Sequence, residues 1–217
     1  MKYKVQVEKS HYFKEGYVDE NRMLSYSNQI DMVRRVAIKL DKKKLSVLEI
    51  GVGNGVVRDI LKSFGHRVIT LDIDKSLKPD IVASLPNIKL KKRYDVILAC
   101  EVLEHIKFKD VEKSIKNLSK ISDNIVISIP NKSPYLSFAF KMPMIKLKGK
   151  VFSLPFNFVP HKFQGEHYWE LGAFGISANK FKKIASNSGL ECEISYRLLI
   201  HPWHNFFLFT KKSRKRI

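Results

Sequence analysis

The chain has 217 residues, 44% of them hydrophobic, enough for one α/β domain with a substantial core and an insertion but short for two domains. Lysine and arginine total 40 against 21 acids, a formal net charge of +19; such an excess attracts anionic partners without naming one, so RNA, an anionic membrane surface, a small acidic substrate and a merely solvated lysine-rich surface all stay open. No apolar run approaches the ~20 residues of a spanning helix, no hydrophobic signal region follows Met1-Lys2-Tyr3-Lys4, and Cys100 and Cys192 have neither metal nor disulfide spacing, which together predict a reducing, cytoplasmic setting.

In chain order, an aromatic cluster at His11 to Tyr17 precedes a helix expected over 21–40. Met23, Tyr26, Ile30, Val33, Ala37 and Leu40 recur there every three or four residues and define its inward face. Leu45 to Ile50 reads as a short buried strand running into Gly51, Gly53 and Gly55 at alternate positions. Val56, Val57, Ile60, Leu61 and Phe64 then carry helical spacing up to Gly65, a left-handed stop. Arg67 to Leu71 is a second strand ending on Asp72, and Ile81 to Ala83 a brief third. Tyr94 to Ala99 is apolar after Asp95, as a central parallel strand should be. A helix over 109–120 and a fifth strand over Asn124 to Ile129 follow.

From Asn131 to about Gly175 the periodicity breaks. Pro134, Pro143, Pro155 and Pro160 alternate with Tyr135, Phe138, Phe140, Phe152, Phe156, Phe158 and Phe163. Met142, Met144 and lysines are interleaved, and no acid occurs between Asp123 and Glu166. So long an irregular insertion is expected to be a lid or a binding segment. Ser177 then caps a helix to Ser188, stopped by Gly189, and Leu190 to Ile200 and Trp203 to Thr210 are two final strands before a basic tail from Lys211 to Arg216.

Strand, glycine turn and helix open a doubly wound unit whose ligands sit outside the carboxyl ends of the strands. Asp72 falls about 20 residues past the glycines, the spacing at which a carboxylate receives ribose hydroxyls. The turn is G-x-G-x-G, not the pyrophosphate fingerprint, and Glu49 beside it would repel a diphosphate. These residues suit an adenosine with a cationic or zwitterionic tail.

In Val47 to Gly55, Val68 to Asp74, Ser84-Leu85-Pro86 and Tyr94 to His105, in that order, the chain resembles the class I S-adenosylmethionine-dependent methyltransferases. Ile127 to Asn131 looks like that family's fifth strand and its exit. The resemblance implies a single domain over 1–217 with a Rossmann-like, doubly wound α/β sheet, mostly parallel with an antiparallel C-terminal strand. Its parts would be the helix over 21–40, a cofactor core over 45–131, a lid or substrate insertion over 132–175, and a C-terminal helix and strand pair over 176–212. It implies S-adenosyl-L-methionine as cofactor, held by Gly51, Gly53, Asn54 and Gly55, with Asp72 on the ribose, Ile73 and Leu85 around the adenine, and Glu49, Cys100 and Glu101 at the amino-acid end. Ser84 stands where the family commonly has an acid on the adenine amino group. Tyr12, Phe13 and Tyr17 are candidates to close over the site, and Asp74 reads equally as a turn acid.

The proton acceptor is sought in Pro160 to Glu170, where His161, Glu166, His167 and Glu170 cluster. Histidine suits general-base work near neutral pH, so His167 is the first candidate and His161 the second; the same histidines would equally bridge a lid to the core. His105 reads as cofactor-side or structural, His201 and His204 as structural, and no compact metal triad stands out. The leading expectation is methyl transfer to an oxygen or nitrogen of a small molecule, acidic and lipid-linked acceptors included, with peripheral membrane contact through 135–158. RNA methylation and a non-catalytic S-adenosylmethionine-binding regulator remain as alternatives.

Overall fold

Side-chain alternation along the central strands sorts two hydrophobic layers onto one sheet. β1 (Ser46–Ile50), β2 (Arg67–Asp72), β4 (Val96–Cys100), β5 (Asn124–Pro130) and β9 (His204–Lys211) present Val47, Val68, Val96, Leu98, Val126, Phe206 and Leu208 to one face. To the other they present Leu48, Leu71, Ile97, Ile125, Ile127, Phe207 and Phe209. A strand buried on both sides has to be apolar at successive positions, which is what these runs are. In the computed structural model, residues 3–140, 142–143, 148–154, 160–163 and 165–212 are described. Met144, Pro155, Phe156, Phe158 and the tail from Ser213 to Arg216 lie outside them.

The seven-stranded sheet has the order β3-β2-β1-β4-β5-β9-β8, with β3 at Ile81–Val82 and β8 at Leu190–Arg197. The pairings β1–β2, β2–β3, β1–β4 and β4–β5 are parallel, whereas β9 runs antiparallel to both β5 and β8. The chain moves outward from β1 to β3, then crosses back to place β4 on the other flank of β1. That reversal opens a crevice at the carboxyl tips of β1 and β4. The expected doubly wound, mostly parallel sheet with an antiparallel C-terminal strand is the architecture observed.

Helices cover both faces. α2 (Glu20–Lys39) and α3 (Val56–Ser63) pack against the valine layer, and α4 (Phe108–Ile121) and α5 (Ala178–Asn187) against the isoleucine and phenylalanine layer. Asp19 caps α2, its carboxylate accepting the Arg22 amide at 2.7 Å, and Ser177 caps α5 by accepting the Lys180 amide at 3.1 Å. The inward stripe of α2 differs from the expected one. Tyr26 and Val33 are buried together with Ser25, Gln29, Met32 and Val36, while Met23 is 44% exposed. Phe64, expected on the inner face of α3, is likewise exposed, at the cap position that follows Ser63.

Two departures bear on the site. A short helix, α1 (Lys9–Phe13), precedes α2 and is too brief to register as periodicity. Within the insertion, Tyr135–Phe140 (β6) and Lys148–Ser153 (β7) pair as an antiparallel hairpin outside the main sheet. The buried Arg197 at the end of β8 ties down its base. Its guanidinium donates to the Ser133 and Asn131 carbonyls and to Ser153 Oγ at 2.9, 3.1 and 3.1 Å, and lies 4.8 Å from the Tyr135 ring centroid. β8 is also shorter than expected and β9 begins one residue later, leaving Ile200 and Trp203 exposed in the turn between them. No described helix is long and apolar enough to cross a membrane.

Phe181 is fully buried between α5 and β9, its ring 5.2 Å from that of Phe207. Phe181→Ala should cost about 3–5 kcal/mol of unfolding free energy, whereas Phe138→Ala on the exposed hairpin should stay within about 0.5 kcal/mol; urea titrations of the two variants check the contrast.

Candidate functional site

The glycine turn after β1 holds its shape through backbone geometry. Gly51, Gly53 and Gly55 have φ of +83°, +54° and +79°, a region that disfavours any residue with a Cβ. A Cβ on Gly51 would also fall 2.6 Å from Val102 Cγ2. Gly51 N–H donates to the Leu71 carbonyl at 2.9 Å, so the turn hangs on β2. Asp72, at the tip of β2, completes the attachment. One of its oxygens accepts the Val52 amide at 2.7 Å and the other the Asp74 amide at 2.8 Å. Burial raises its carboxyl above the usual range, against the pull of these amides. Asn54 Oδ1 accepts from the Tyr26 hydroxyl at 3.1 Å, binding the turn to α2.

Two cavities meet at this turn, and Val7, Tyr12, Gly51, Asp72, Glu101 and His105 line both, making one cleft at the carboxyl ends of the strands. The first half is apolar, walled by Ile73, Leu77, Ala83, Ser84, Leu85 and Ile106 beside Asp72. The second half is polar. Glu49, Gly53, Asn54, Cys100, Arg22, Ser25 and Tyr26 line it together with His167, His201, His204 and Glu166.

Glu49 is 5% exposed in β1, and its Oε2 has no hydrogen-bond partner among the described residues. Burial pushes its carboxyl up to about 8, with only partial relief from Arg58. Glu101 is held differently. It adopts φ +56° at the tip of β4 and meets Arg22 at 2.6 Å, with Ser25 Oγ at 3.4 Å and His204 Nε2 at 3.6 Å. Burial opposes its charge, but His204 and Arg22 outweigh it and keep the carboxyl below the usual range. Burial also drives the Cys100 thiol upward, which keeps it a thiol.

The side of the cleft where the insertion returns is built by one tryptophan. Trp169, 1% exposed, donates its indole N–H to the Leu103 and Ile106 carbonyls at 3.2 and 3.0 Å, and the Tyr168 amide donates to the Glu104 carbonyl at 2.8 Å. These bonds press the end of the insertion onto the turn after β4. His167 thereby meets His105, ring centroids 4.9 Å apart. His167 Nδ1 is 2.8 Å from Glu170 Oε1, and Lys132 Nζ is 3.2 Å from the other oxygen of Glu170. Burial opposes charge on Glu170, yet His167 and Lys132 hold it below the usual range. His105 Nδ1 lies 2.9 Å from Gln6 Oε1 and 3.1 Å from the Glu166 carbonyl; burial, then His167, depress this imidazole to about 4. Glu104 is fully buried, and neither of its oxygens has a hydrogen-bond partner among the described residues.

Of the two histidines proposed as proton acceptors, His167 lines the cleft. His161 is not among its lining residues and bonds through Nε2 to the His167 carbonyl at 2.8 Å. Tyr12 and Tyr17 line the cleft, with Tyr12 ring carbons 3.8 and 3.9 Å from where a Gly53 Cβ would be, while Phe13 points to solvent at 58% exposure. Asp74 accepts the Ser76 amide at 2.8 Å, as a turn acid does, and also lines the apolar half of the cleft. Sequence reasoning missed Arg22, Ser25, His204 and the meeting of Glu104 with His105 and His167. Only Glu104, a carboxylate in an otherwise apolar turn, carried a signal.

A family model described as a methyltransferase domain matches residues 23–193, well over half of the chain. A curated relative, the ubiquinone biosynthesis O-methyltransferase of Pelagibacter ubique, is 33% identical over 93 residues; the match takes in 36% of this chain and 38% of that protein's length. Among solved structures, an S-adenosylmethionine-dependent methyltransferase from Clostridium acetobutylicum superposes with a TM-score of 0.61 at 10% identity, covering 94% of this chain and 96% of that one. Magnesium protoporphyrin IX methyltransferase from Synechocystis, solved with bound S-adenosylmethionine, gives 0.60 at 12% identity over 94% and 89%. At these identities the likeness is one of fold.

Glu49 also sets a pH dependence. A glutamate ionises near 4.3 in the unfolded chain and at about 8 in the fold, so its contribution to stability is full below the lower value and is lost as pH rises through the upper one. Glu49→Gln should therefore be increasingly more stable than the parent between pH 5 and 8, with the difference level above that; urea midpoints across the range check it.

Proposed function

Because the chain belongs to the methyltransferase-domain family, we propose that it moves a methyl group from S-adenosylmethionine to an oxygen or nitrogen of a small acceptor at the histidine-lined end of the cleft. The observation carrying this reading is the joining of the left-handed glycine turn to Asp72 at the mouth of one continuous cleft. The residues present fit the cofactor. An apolar slot walled by Ile73 and Leu85 suits an adenine, Asp72 keeps lone pairs for ribose hydroxyls, and the orphaned, buried Glu49 suits an ammonium at the other end. Ser84 lines the slot where an acid is common in the family, and its hydroxyl accepts a hydrogen bond in that place.

When bound, the cofactor supplies an activated methyl carbon: the acceptor's lone pair forms the new bond as the carbon–sulfur bond breaks and leaves a neutral thioether. The chain's task is alignment and exclusion of water. The glycine turn fixes one end, Tyr12 and Tyr17 cover it, and Arg22 and Ser25 hold Glu101 in place. A hydroxyl or ammonium acceptor must also lose a proton. His167 stands on the cleft for that role, its ring oriented by Glu170.

Oxygen is favoured by the name of the Pelagibacter relative. A lipid-linked acceptor is favoured by the hairpin, where Leu136, Phe138 and Phe140 are 53%, 64% and 57% exposed on a chain of charge +19; aromatic rings and lysines together suit an anionic bilayer interface. Flotation with phosphatidylglycerol vesicles should carry the chain up and should fail for Phe138→Ser. A parent chain that stays at the bottom removes the lipid-linked acceptor and leaves methyl transfer standing.

The cofactor assignment is tested by calorimetry with S-adenosylhomocysteine. Asp72→Ala should weaken binding by about two orders of magnitude, equivalent to ~3 kcal/mol, and an unchanged affinity would refute the assignment.

A further inference from the structure

We propose that Glu104, His105 and His167 bind one divalent transition-metal cation at the acceptor end of the cleft. The ligand atoms of the three residues lie within 4.8 Å of one another, and tetrahedral bonds of about 2.0–2.2 Å to zinc would draw the widest such separation in by roughly 1 Å. Glu104 is the first reason. A fully buried carboxylate with no partner on either oxygen is costly to keep, and a cation answers both its charge and its lone pairs.

The second reason is the set of bonds behind the imidazoles. His105 Nδ1 faces two oxygen acceptors, Gln6 Oε1 and the Glu166 carbonyl, and His167 Nδ1 faces Glu170 Oε1. Each Nδ1 therefore carries the proton, leaving an unprotonated Nε2 on each ring. That is the arrangement by which carboxylates and carbonyls orient histidine ligands around a metal. Two nitrogens and one carboxylate favour zinc, iron, cobalt or nickel over magnesium or calcium, which take oxygen. Three protein ligands leave a coordination position free, and both histidines line the cleft.

In that position the cation would bind the acceptor's hydroxyl and lower its pKa, the proton passing to solvent; His167 would then be a ligand, and the base role given to it above would belong to the ion-free cleft. This catalytic use rests on the methyl-transfer reading; the binding of the ion does not.

The test is titration of the chelator-stripped full chain with zinc chloride by calorimetry, beside a separate titration with S-adenosylhomocysteine. The parent should take up one equivalent. Glu104→Gln and His167→Ala should bind it at least about 100-fold more weakly, and Glu170→Gln, which orients His167 without being a ligand, about 10- to 100-fold more weakly. Retained S-adenosylhomocysteine affinity in Glu104→Gln shows that the variant is folded. Zinc uptake absent from the parent, or equal in Glu104→Gln and His167→Ala, overturns the site while leaving the cofactor reading intact. Zinc uptake as expected with no S-adenosylhomocysteine binding to the parent supports the site and sinks the cofactor reading instead.

Discussion

The bond from the Val52 amide to the Asp72 carboxylate is the constraint on which the rest of the cleft depends. A turn built from three glycines in left-handed conformations has little conformational preference of its own, since glycine pays the largest backbone entropy on ordering. Its shape has to be imposed from outside. β2 imposes it twice, through the Leu71 carbonyl on Gly51 and through Asp72 on Val52. With the turn fixed, Gly55 can start α3 and Asn54 can reach Tyr26 on α2. The same carboxylate is thus both a brace for the loop and the polar group at the junction of the two halves of the cleft.

A second anchor works from the opposite side. The insertion returns to the sheet through Trp169, whose buried indole satisfies two carbonyls of the turn after β4. Indole burial fixes position, and the N–H fixes orientation. As a result His167 does not rely on its own loop for placement. It is held by its neighbours on both sides, by the Tyr168 amide on Glu104 and by the Glu166 carbonyl near His105. Polar groups in a region this dry need partners, and Glu104 lacks one on both of its oxygens among the described residues.

The sheet was legible because its strands must be apolar on two faces and its turns must be glycine. Val47 to Gly55 states both conditions directly, and Tyr94 to Glu101 the first. What was not legible arises from long-range contact. Arg22 lies on a helix that reads as amphipathic surface, and only folding brings it 2.6 Å from Glu101, 79 positions away. His167 and His161 were the first and second candidates in the sequence; the fold puts the first on the cleft and turns the second against a carbonyl. The compact triad was missed for the same reason, because Glu104 and His105 are neighbours but His167 comes from across the fold. Met23 was misassigned because α2 presents a polar stripe, Ser25 and Gln29, where an apolar one was expected.

Tyr12, Tyr17 and His11 stack edge-on over the glycine turn, at 5.3 to 5.7 Å between centroids, and the segment that carries them turns at Gly16, where φ is +78° and no atom lies within 4 Å of a Cβ position. Edge-on rings contribute about 0.5–1.5 kcal/mol per pair, far less than a core helix. The roof of the cleft is therefore lightly held, with Arg22 over the Tyr17 ring at 4.7 Å as a further contact, and it sits on a joint with room to swing. A spent nucleoside would leave by lifting that roof, without parting any strand of the sheet, so the dwell time of product would be governed by three aromatic rings and one glycine.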